Sequence, residues 1–428
     1  MTARRALPPS LYADTAQPGP ETPPLEGEVR TGVAIVGGGF TGLSAALHLA
    51  EQGVACTVLE SNEVGWGASG RNGGQVNPGL KFDPDVIERD FGREMGRRMI
   101  EVSGGAPQRV FDLIERHQIQ CEAHRGGTIR AAKSARNAAL VRASAEKWAQ
   151  RTDAAVLLER DGMREATGTG RYLVGMRDRR GGSVNPLGYA RGLARAAQQA
   201  GARIHGASPA LRTEKVPGGW RVTTPRGSVH AEKLALCTNG YTDGLWPGLA
   251  RSVVPVFSMI AATAPLQDAV ARAVMPARSV LFEIAATTVY YRLDQQGRLL
   301  MGGRSPSRET SASADFQYLI EYSEKLFPAL QGVSWTHFWN GQLAITTDHY
   351  PHFHEPEEGV LAALAYNGRG VAMATTMGAQ IADRFLGARP DELMMPITTL
   401  REIPFHGLWR TAVSLRLVYG RIRDSLGL

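Results

Sequence analysis

Val33-Ala34-Ile35-Val36-Gly37-Gly38-Gly39-Phe40-Thr41-Gly42 decides how this chain folds. Its first residues, apolar and mostly β-branched, read as a buried parallel strand. They run into glycines at 37, 39 and 42, the GxGxxG spacing, and then into an alanine- and leucine-rich helix from Leu43 to about Gln52, ended by Gly53. A second strand, Ala55 to Leu59, finishes in Glu60 and is followed by Ser61. Each part has a mechanical reason. Gly37 permits the tight turn, Gly39 lets backbone N–H groups approach a pyrophosphate, and Gly42 lets helix and strand pack closely. The helix N-terminus faces the phosphates. Glu60 accepts hydroxyl hydrogens of an adenosine ribose, which favours FAD or NAD over NADP. Glycines alone would mark only a turn; strand, helix, second strand and terminal acid in register mark a dinucleotide fold.

The next segment separates the two cofactors. Gly65-Trp66-Gly67-Ala68-Ser69-Gly70-Arg71-Asn72-Gly73-Gly74-Gln75 is a long small-residue loop directly after the ribose acid. Small residues let main chain lie against a large flat ligand, and Ser69 and Arg71 can meet phosphate oxygens. A plain surface linker would rarely combine Trp66, Arg71, Asn72 and Gln75.

On these two stretches, Val36 to Glu51 and Gly67 to Gln75, the chain resembles the FAD-dependent amino-acid and amine oxidoreductases typified by D-amino-acid, glycine and sarcosine oxidases. Within that family it looks most like the γ-glutamylputrescine oxidase branch. The resemblance runs from Ser10 to Leu426, and its second motif is much narrower than its first. It implies a mixed α/β fold: a Rossmann-type FAD-binding domain interleaved with a mainly antiparallel-sheet substrate domain. The expected map is an extended N-terminal arm at 1–30, a FAD-binding domain at 31–120, 181–250 and 356–428, and a substrate domain at 121–180 and 251–355. The resemblance also implies further flavin contacts at Ala210, Leu211, Thr238, Asn239, Gly240, Trp339, Gly341, Gly368, Arg369, Gly370, Val371 and Ala372, in addition to Gly37, Gly39, Phe40, Thr41, Gly42, Glu60, Ser61, Gly67, Ala68, Ser69, Arg71, Asn72, Gly73, Gly74 and Gln75.

Composition agrees with an enzyme of this size. The chain has 428 residues, 43% hydrophobic and 21% charged, so it belongs with soluble globular proteins of two or more domains. Three cysteines, Cys56, Cys121 and Cys237, lie far apart, which argues against a disulfide framework or zinc site and for a reducing, cytoplasmic setting. Cys237 reads as a small packed residue. The net charge of +7 is scattered arginine without a motif or stripe, so nucleic acid is not an expected partner. The proline-rich start has no apolar run and reads as an extended surface arm rather than a signal or membrane span. At the other end Phe405 to Leu428, apolar residues between arginines, reads as a terminal helix packed on its own domain, with a membrane contact as the alternative. No stable membrane insertion and no metal are expected.

Along the middle, helical patterns appear at Pro84–His117 and Ser134–Gln150, and Asn185 caps a helix opened by Pro186 and running to Gln199. Strands are expected at Gly126–Arg130, Arg203–Gly206, Lys233–Gly240, Val253–Ala264, Val280–Ile284, Thr288–Leu293 and Leu299–Gly302, with a hairpin around Pro217–Gly219.

The catalytic end carries Trp339-Asn340-Gly341-Gln342-Leu343-Ala344-Ile345-Thr346-Thr347-Asp348, similar to the family's W-x-G…T-x-D stretch, and a helix opened by Asn367-Gly368-Arg369-Gly370 and running through Asp383. By the resemblance, that helix N-terminus points at the flavin pyrimidine ring, where negative charge collects on reduction. The implied chemistry is hydride removal from a carbon bearing a neutral amine, with hydrolysis of the imine and reduction of molecular oxygen to peroxide. Tyr291, Trp339, Arg369 and His337 are the candidate catalytic residues, and Tyr290, Tyr350 and Tyr366 are further candidates for the walls. Two departures matter. No lysine stands on Arg298–Gly302, where sarcosine oxidases carry one to promote reaction with oxygen, and Gly341 stands near where that branch has a flavin-attaching cysteine, so FAD should be non-covalent. Oxidases of simple amino acids resemble W-x-G-x-R-P, whose arginine clamps the α-carboxylate; this chain has Leu343 and Ala344 there. An amine without a neighbouring carboxylate is therefore the expected substrate, unless Arg292, Arg304 or Arg369 takes over the clamp. The competing readings are a dehydrogenase that passes electrons to a quinone and an RNA-modifying flavoprotein.

Overall fold

The computed structural model describes residues 5–285 and 288–425. Among them, the strands form two eight-stranded sheets and one two-stranded ladder. The first sheet is built on Gly27–Val36, with Cys56–Leu59 and Gly227–Leu236 parallel to it on either side. Arg203–His205 and Val360–Leu364 extend the parallel array outward. His352–Glu357 closes one edge in antiparallel fashion, and the hairpin Arg212–Val216/Gly219–Thr223 pairs onto Gly227–Leu236. Every residue of Cys56–Leu59 and Val360–Leu364 is buried, as parallel strands covered on both faces must be. Helices Phe40–Glu51, Arg93–Arg116, Pro186–Gln199 and Gly370–Phe385 share one core with the sheet through Leu43, Val110, Leu193, Met377 and Val58.

The second sheet runs in the order Trp335–Ile345, Val254–Thr263, Leu299–Arg304, Tyr290–Leu293, Val280–Glu283, Thr128–Ala132, Val174–Asp178, Ala155–Glu159. Its pairs are antiparallel except that Val280–Glu283 lies parallel to Thr128–Ala132. Strands from 128–178 and 254–345, distant in sequence, thus share one sheet. Helix Gln317–Leu326 packs on it through Leu319 and Leu326, beside Tyr291 and Phe316.

Local expectations hold or fail for visible reasons. Asn185 Oδ1 accepts from Gly188 N at 3.1 Å and Pro186 opens the helix, as its sequence demands. The pattern at Pro84–His117 is two helices, Pro84–Phe91 and Arg93–Arg116, because Gly92 between them takes φ +78°. The N-terminal segment is not simply an extended arm. Ser10 Oγ accepts from Ala13 N, and Leu11–Thr15 forms a short helix whose Leu11 and Tyr12 are buried with Leu187 and Trp339. At the other end, helix Trp409–Ser425 exposes Leu415 and Tyr419, and Phe405 and Leu408 before it are exposed too, so the packed terminal helix read from the sequence is not what these side chains show. The side chains of Arg416, Leu417, Val418, Arg421 and Arg423, which entered that reading, lie outside the described residues, as do residues 1–4, 286–287 and 426–428. Among the described residues no helix is long and apolar enough to cross a membrane.

Candidate active site

A cleft of about 300 Å³ opens where the carboxyl ends of the parallel strands meet the second sheet. Its lining runs from Gly37 and Glu60 through Gly67–Asn72 to Gly341–Ala344 and Gly370, an extent that suits a long, two-part ligand. The glycines at its Glu60 end are there by necessity. Gly37 has φ +110°, and a Cβ on it would lie 2.7 Å from the Cys237 carbonyl oxygen. A Cβ on Gly42 would run into the Gly37 carbonyl, and one on Gly39 would sit 2.8 Å from Ser69 Oγ. Ser69 Oγ accepts from Phe40 N at 2.9 Å, tying the second motif to the first helical turn.

Glu60 reaches back into this end. Its Oε2 accepts from Gly38 N at 2.8 Å and its Oε1 from Asn62 N at 2.9 Å. Burial raises its pKa above the usual carboxylate value, an effect that these backbone donors oppose. The remaining lone pairs of an ionised Glu60 are available to hydroxyl donors.

The small-residue loop forms the middle of the cleft. Arg71 is buried; its Nε donates to the Trp66 carbonyl at 2.8 Å and its Cζ stacks 4.1 Å over the Trp66 ring. Glu309 pairs with Arg71 at 3.4 Å and also with Arg5, so Arg71 is fixed rather than free. Gly341 passes directly against it: a Cβ there would lie 2.9 Å from Arg71 Cβ.

Gly341–Ala344 and the turn into helix Gly370–Phe385 line the end away from Glu60. Asn239 Oδ1 accepts from Ala365 N at 2.8 Å, and Asn367 Oδ1 accepts from Thr346 N at 3.1 Å, so two asparagines hold the turn shut. Both asparagines and Ala365 take positive φ, the left-handed conformation that asparagine tolerates best among side-chain-bearing residues. The helix has no side-chain N-cap and no acid in its first turn, leaving N–H donors and the positive dipole end facing the cleft. Tyr290 and Ser258 line the opposite wall, hydrogen-bonded to each other at 2.8 Å. Burial pushes the Tyr290 hydroxyl up to about 12 and the Cys237 thiol likewise, so neither is a base or nucleophile near neutral pH.

Of the residues expected at the site, Gly37, Gly39, Phe40, Thr41, Glu60, Ser61, Gly67, Ala68, Ser69, Arg71, Asn72, Gly73, Gln75, Ala210, Thr238, Asn239, Gly341, Gly368, Gly370 and Val371 line the cleft. Others stand behind it. Gly42 allows helix packing, Gly74 sits against Val184 and Arg292, and Gly240 lets Leu343 pass close. Ala372 is buried in its helix, and Leu211 is 58% exposed, away from the cleft. The four candidate catalytic residues are not among the lining residues. Tyr291 faces the core of the second sheet and bonds Tyr172 Oη at 2.9 Å, because its neighbour Tyr290 takes the cleft side of the strand. Trp339 is fully buried behind the lining, donating Nε1 to the Arg71 carbonyl at 2.9 Å and meeting Tyr12 edge-on. His337 bonds Asp14 at 3.0 Å at the protein surface. Arg369 turns its guanidinium into a separate, smaller cavity. Of the aromatic wall candidates, Tyr290 and Tyr366 line the cleft, while Tyr350 packs on Phe82 and Phe91. Sequence reasoning missed Tyr241, whose hydroxyl accepts from Gln342 N at 3.3 Å, and Gln342 itself, whose amide donates to the Gly240 carbonyl. Tyr241 directly follows the Thr238–Gly240 motif, the one signal that would have found it.

The family described as "DAO: FAD dependent oxidoreductase" matches residues 32–384. A probable oxidoreductase, OrdL, of Rhizobium meliloti is 30% identical over 97% of each chain. The γ-glutamylputrescine oxidoreductase of Escherichia coli is also 30% identical, over 98% of each chain. Among solved structures, glycine oxidase from Geobacillus kaustophilus superposes with a TM-score of 0.74 at 21% identity, covering 88% of this chain and 100% of that one.

Proposed function

The chain belongs to the family of FAD-dependent oxidoreductases, and from that premise we propose that it oxidises an amine whose reacting carbon bears no carboxylate. The C–H and N–H hydrogens leave as a hydride and a proton, water hydrolyses the resulting imine to a carbonyl compound, and molecular oxygen takes the electron pair and protons to become hydrogen peroxide. The chemistry that FAD supplies when bound is hydride acceptance and delivery of that electron pair.

The glycine cradle, Glu60 and the uncapped helix at Gly370 fit a dinucleotide with an anionic flavin end. Gly38 N–H and Asn62 N–H orient the Glu60 carboxylate toward the ribose end, and Ser69 holds the first helical turn against the phosphate end. The only cysteine on the cleft wall among the described residues is Cys237, whose thiol stays protonated, so non-covalent FAD is expected. Flavin should leave the protein on acid precipitation; colour that stays in the pellet contradicts this. On the substrate side, Leu343, Tyr290 and Tyr366 make an apolar wall that favours the uncharged amine over the ammonium, and a neutral amine is the form able to lose hydride.

The observation that carries the substrate reading is Leu343 and Ala344 on the cleft wall, where family members acting on simple amino acids resemble one another in an arginine and a proline. Two nearby arginines are already engaged: Arg71 by Trp66 and Glu309, and Arg292 by the carbonyls of Gly73 at 2.8 Å and Val184 at 3.1 Å. A carboxylate buried beside Leu343 with no guanidinium to meet it would cost several kcal/mol. Similarity to a γ-glutamylputrescine oxidoreductase supports the same class. Peroxide production from putrescine and its γ-glutamyl amide, measured against D-alanine and sarcosine, tests the proposal. Faster turnover of the simple amino acids overturns the substrate reading, and dye reduction without peroxide overturns oxygen as acceptor.

A further inference from the structure

Helix Trp409–Ser425 and the turn before it stand apart from both sheets. The base of this segment is fastened: Ile403 N donates to the Arg251 carbonyl at 2.8 Å, and His406 Nε2 donates to the Val253 carbonyl at 2.8 Å. Beyond that base, none of the described side chains between Phe405 and Gly420 enters a hydrophobic core cluster. Phe405 is 85% exposed, and Leu408, Leu415 and Tyr419 are 65%, 66% and 62% exposed. Phe405 also takes φ +55°, a conformation that bulky side chains rarely adopt, so the turn holds an aromatic ring out in water at a backbone cost.

Leu408, Leu415 and Tyr419 are spaced by seven and then four residues, the spacing of a single helical face. Arg410, in the first turn of the helix, is exposed as well. In sequence, Phe405 to Leu428 holds Arg410, Arg416, Arg421 and Arg423 against a single acid, Asp424. An exposed apolar face with aromatic residues, on an arginine-rich helix, is the composition that lies at the boundary between lipid headgroups and acyl chains. The charge selects the surface, because each arginine near anionic headgroups adds to the attraction. A second copy laid on the same face would bring one basic segment against another, with one acid in each to offset them.

We propose that helix Trp409–Ser425, together with Phe405 and Leu408, is a docking surface for an anionic lipid bilayer. The segment lies flat at the headgroup boundary and buries Phe405, Leu408, Leu415 and Tyr419 there, while Arg410 meets lipid phosphates. Attachment of this kind is peripheral and reversible, and it is independent of which amine the cleft accepts.

Sedimentation of the unaltered holoenzyme with vesicles tests this, using phosphatidylcholine alone or with about 30% phosphatidylglycerol. Affinity for the anionic vesicles should exceed that for phosphatidylcholine by about tenfold or more, and should fall toward the neutral value in about 0.5 M salt. Leu415→Glu should weaken anionic-vesicle binding by about tenfold or more, and Arg410→Gln by about fivefold. Both substitutions change exposed side chains, so flavin content should match that of the parent protein. Should Leu415→Glu lose flavin, Leu408→Glu replaces it. Absence of binding to anionic vesicles, equal binding to neutral ones, or binding that survives both substitutions overturns the proposal. So does a concentration-dependent dimer, seen by light scattering without lipid and abolished by Leu415→Glu, which assigns the face to a second copy of the chain.

Discussion

Replacing Gly37 by alanine should cost the protein both stability and flavin. Two effects add at this position. The backbone has φ +110°, outside the regions open to L-residues, which costs on the order of 1–3 kcal/mol. The new Cβ would also stand 2.7 Å from the Cys237 carbonyl oxygen, closer than carbon and oxygen approach without a shift. Neither partner yields cheaply: Cys237 N donates to the Val36 carbonyl at 2.8 Å and Gly37 N to the Leu59 carbonyl at 2.9 Å, so both belong to the central sheet. Overpacking of this kind costs a further ~1–3 kcal/mol. The sum, about 2–6 kcal/mol, is a large part of the ~5–15 kcal/mol that holds a typical domain together. Relief would come by moving the turn off the phosphate position, and losing one charge-assisted hydrogen bond there weakens FAD by roughly 10–100-fold. Gly105→Ala is the control: that glycine is exposed in helix Arg93–Arg116 with nothing within 4 Å of the added carbon, so alanine should stabilise by about 0.5–1 kcal/mol. Urea unfolding of the apoproteins and fluorescence titration with FAD measure both quantities. A Gly37→Ala protein as stable as Gly105→Ala, with FAD affinity within about threefold of the parent, would refute the cradle argument.

Three other positions carry predictions drawn from particular contacts. His354 is fully buried, and burial lowers its pKa from 6.5 to about 4, opposed by its bond to the Thr398 carbonyl. Its unfolded form binds a proton that its folded form refuses, so stability is complete above pH 6.5 and is lost as pH falls toward 4. The contribution is about 3 kcal/mol, and His354→Gln should flatten the unfolding free energy across that window; an unchanged slope contradicts the assignment. Glu283, buried at 2% exposure, accepts from Tyr172 at 2.8 Å, Lys133 at 3.0 Å and Tyr322. Glu283→Leu strands two phenols and should destabilise by about 2–4 kcal/mol in urea titration, while Glu283→Gln, which keeps an acceptor, should cost less. Leu343→Arg places a guanidinium where the cleft wall is apolar, and steady-state assays should show D-alanine or sarcosine gaining on putrescine; no change in that preference would remove Leu343 from the specificity argument.

How much was readable beforehand depends on whether a feature is local. Gly37, Gly39, Gly42 and Glu60 were legible because their spacing is imposed by one turn and its two strands. The same holds for Gly67–Gln75, where all but Gly70 and Gly74 line the cleft. Side-chain direction on a strand was not legible. Tyr290 and Tyr291 are adjacent and chemically alike, and only the pairing Tyr290↔Gly302, Tyr291↔Met301 within the sheet decides which one faces the cleft. His337 and Trp339 were misplaced for a related reason: their partners, Asp14 and Tyr12, come from a segment more than three hundred residues away whose docking no local pattern reveals. Leu11 and Tyr12 looked like part of a proline-rich arm because a five-residue helix becomes stable only once its apolar pair is buried. Arg369 was expected at the flavin on the strength of its neighbours; Gly368 and Gly370 do line the cleft, but its own side chain is long enough to end in another cavity.

The most direct measurement of the central claim is anaerobic mixing of the purified yellow protein with a panel of amines and amino acids while the flavin absorbance is followed. The account predicts that the γ-glutamyl amide of putrescine bleaches the flavin within the mixing experiment, that putrescine does so at higher concentration, and that glycine, sarcosine and D-alanine leave it oxidised. Bleaching by the simple amino acids ahead of the amines would contradict it.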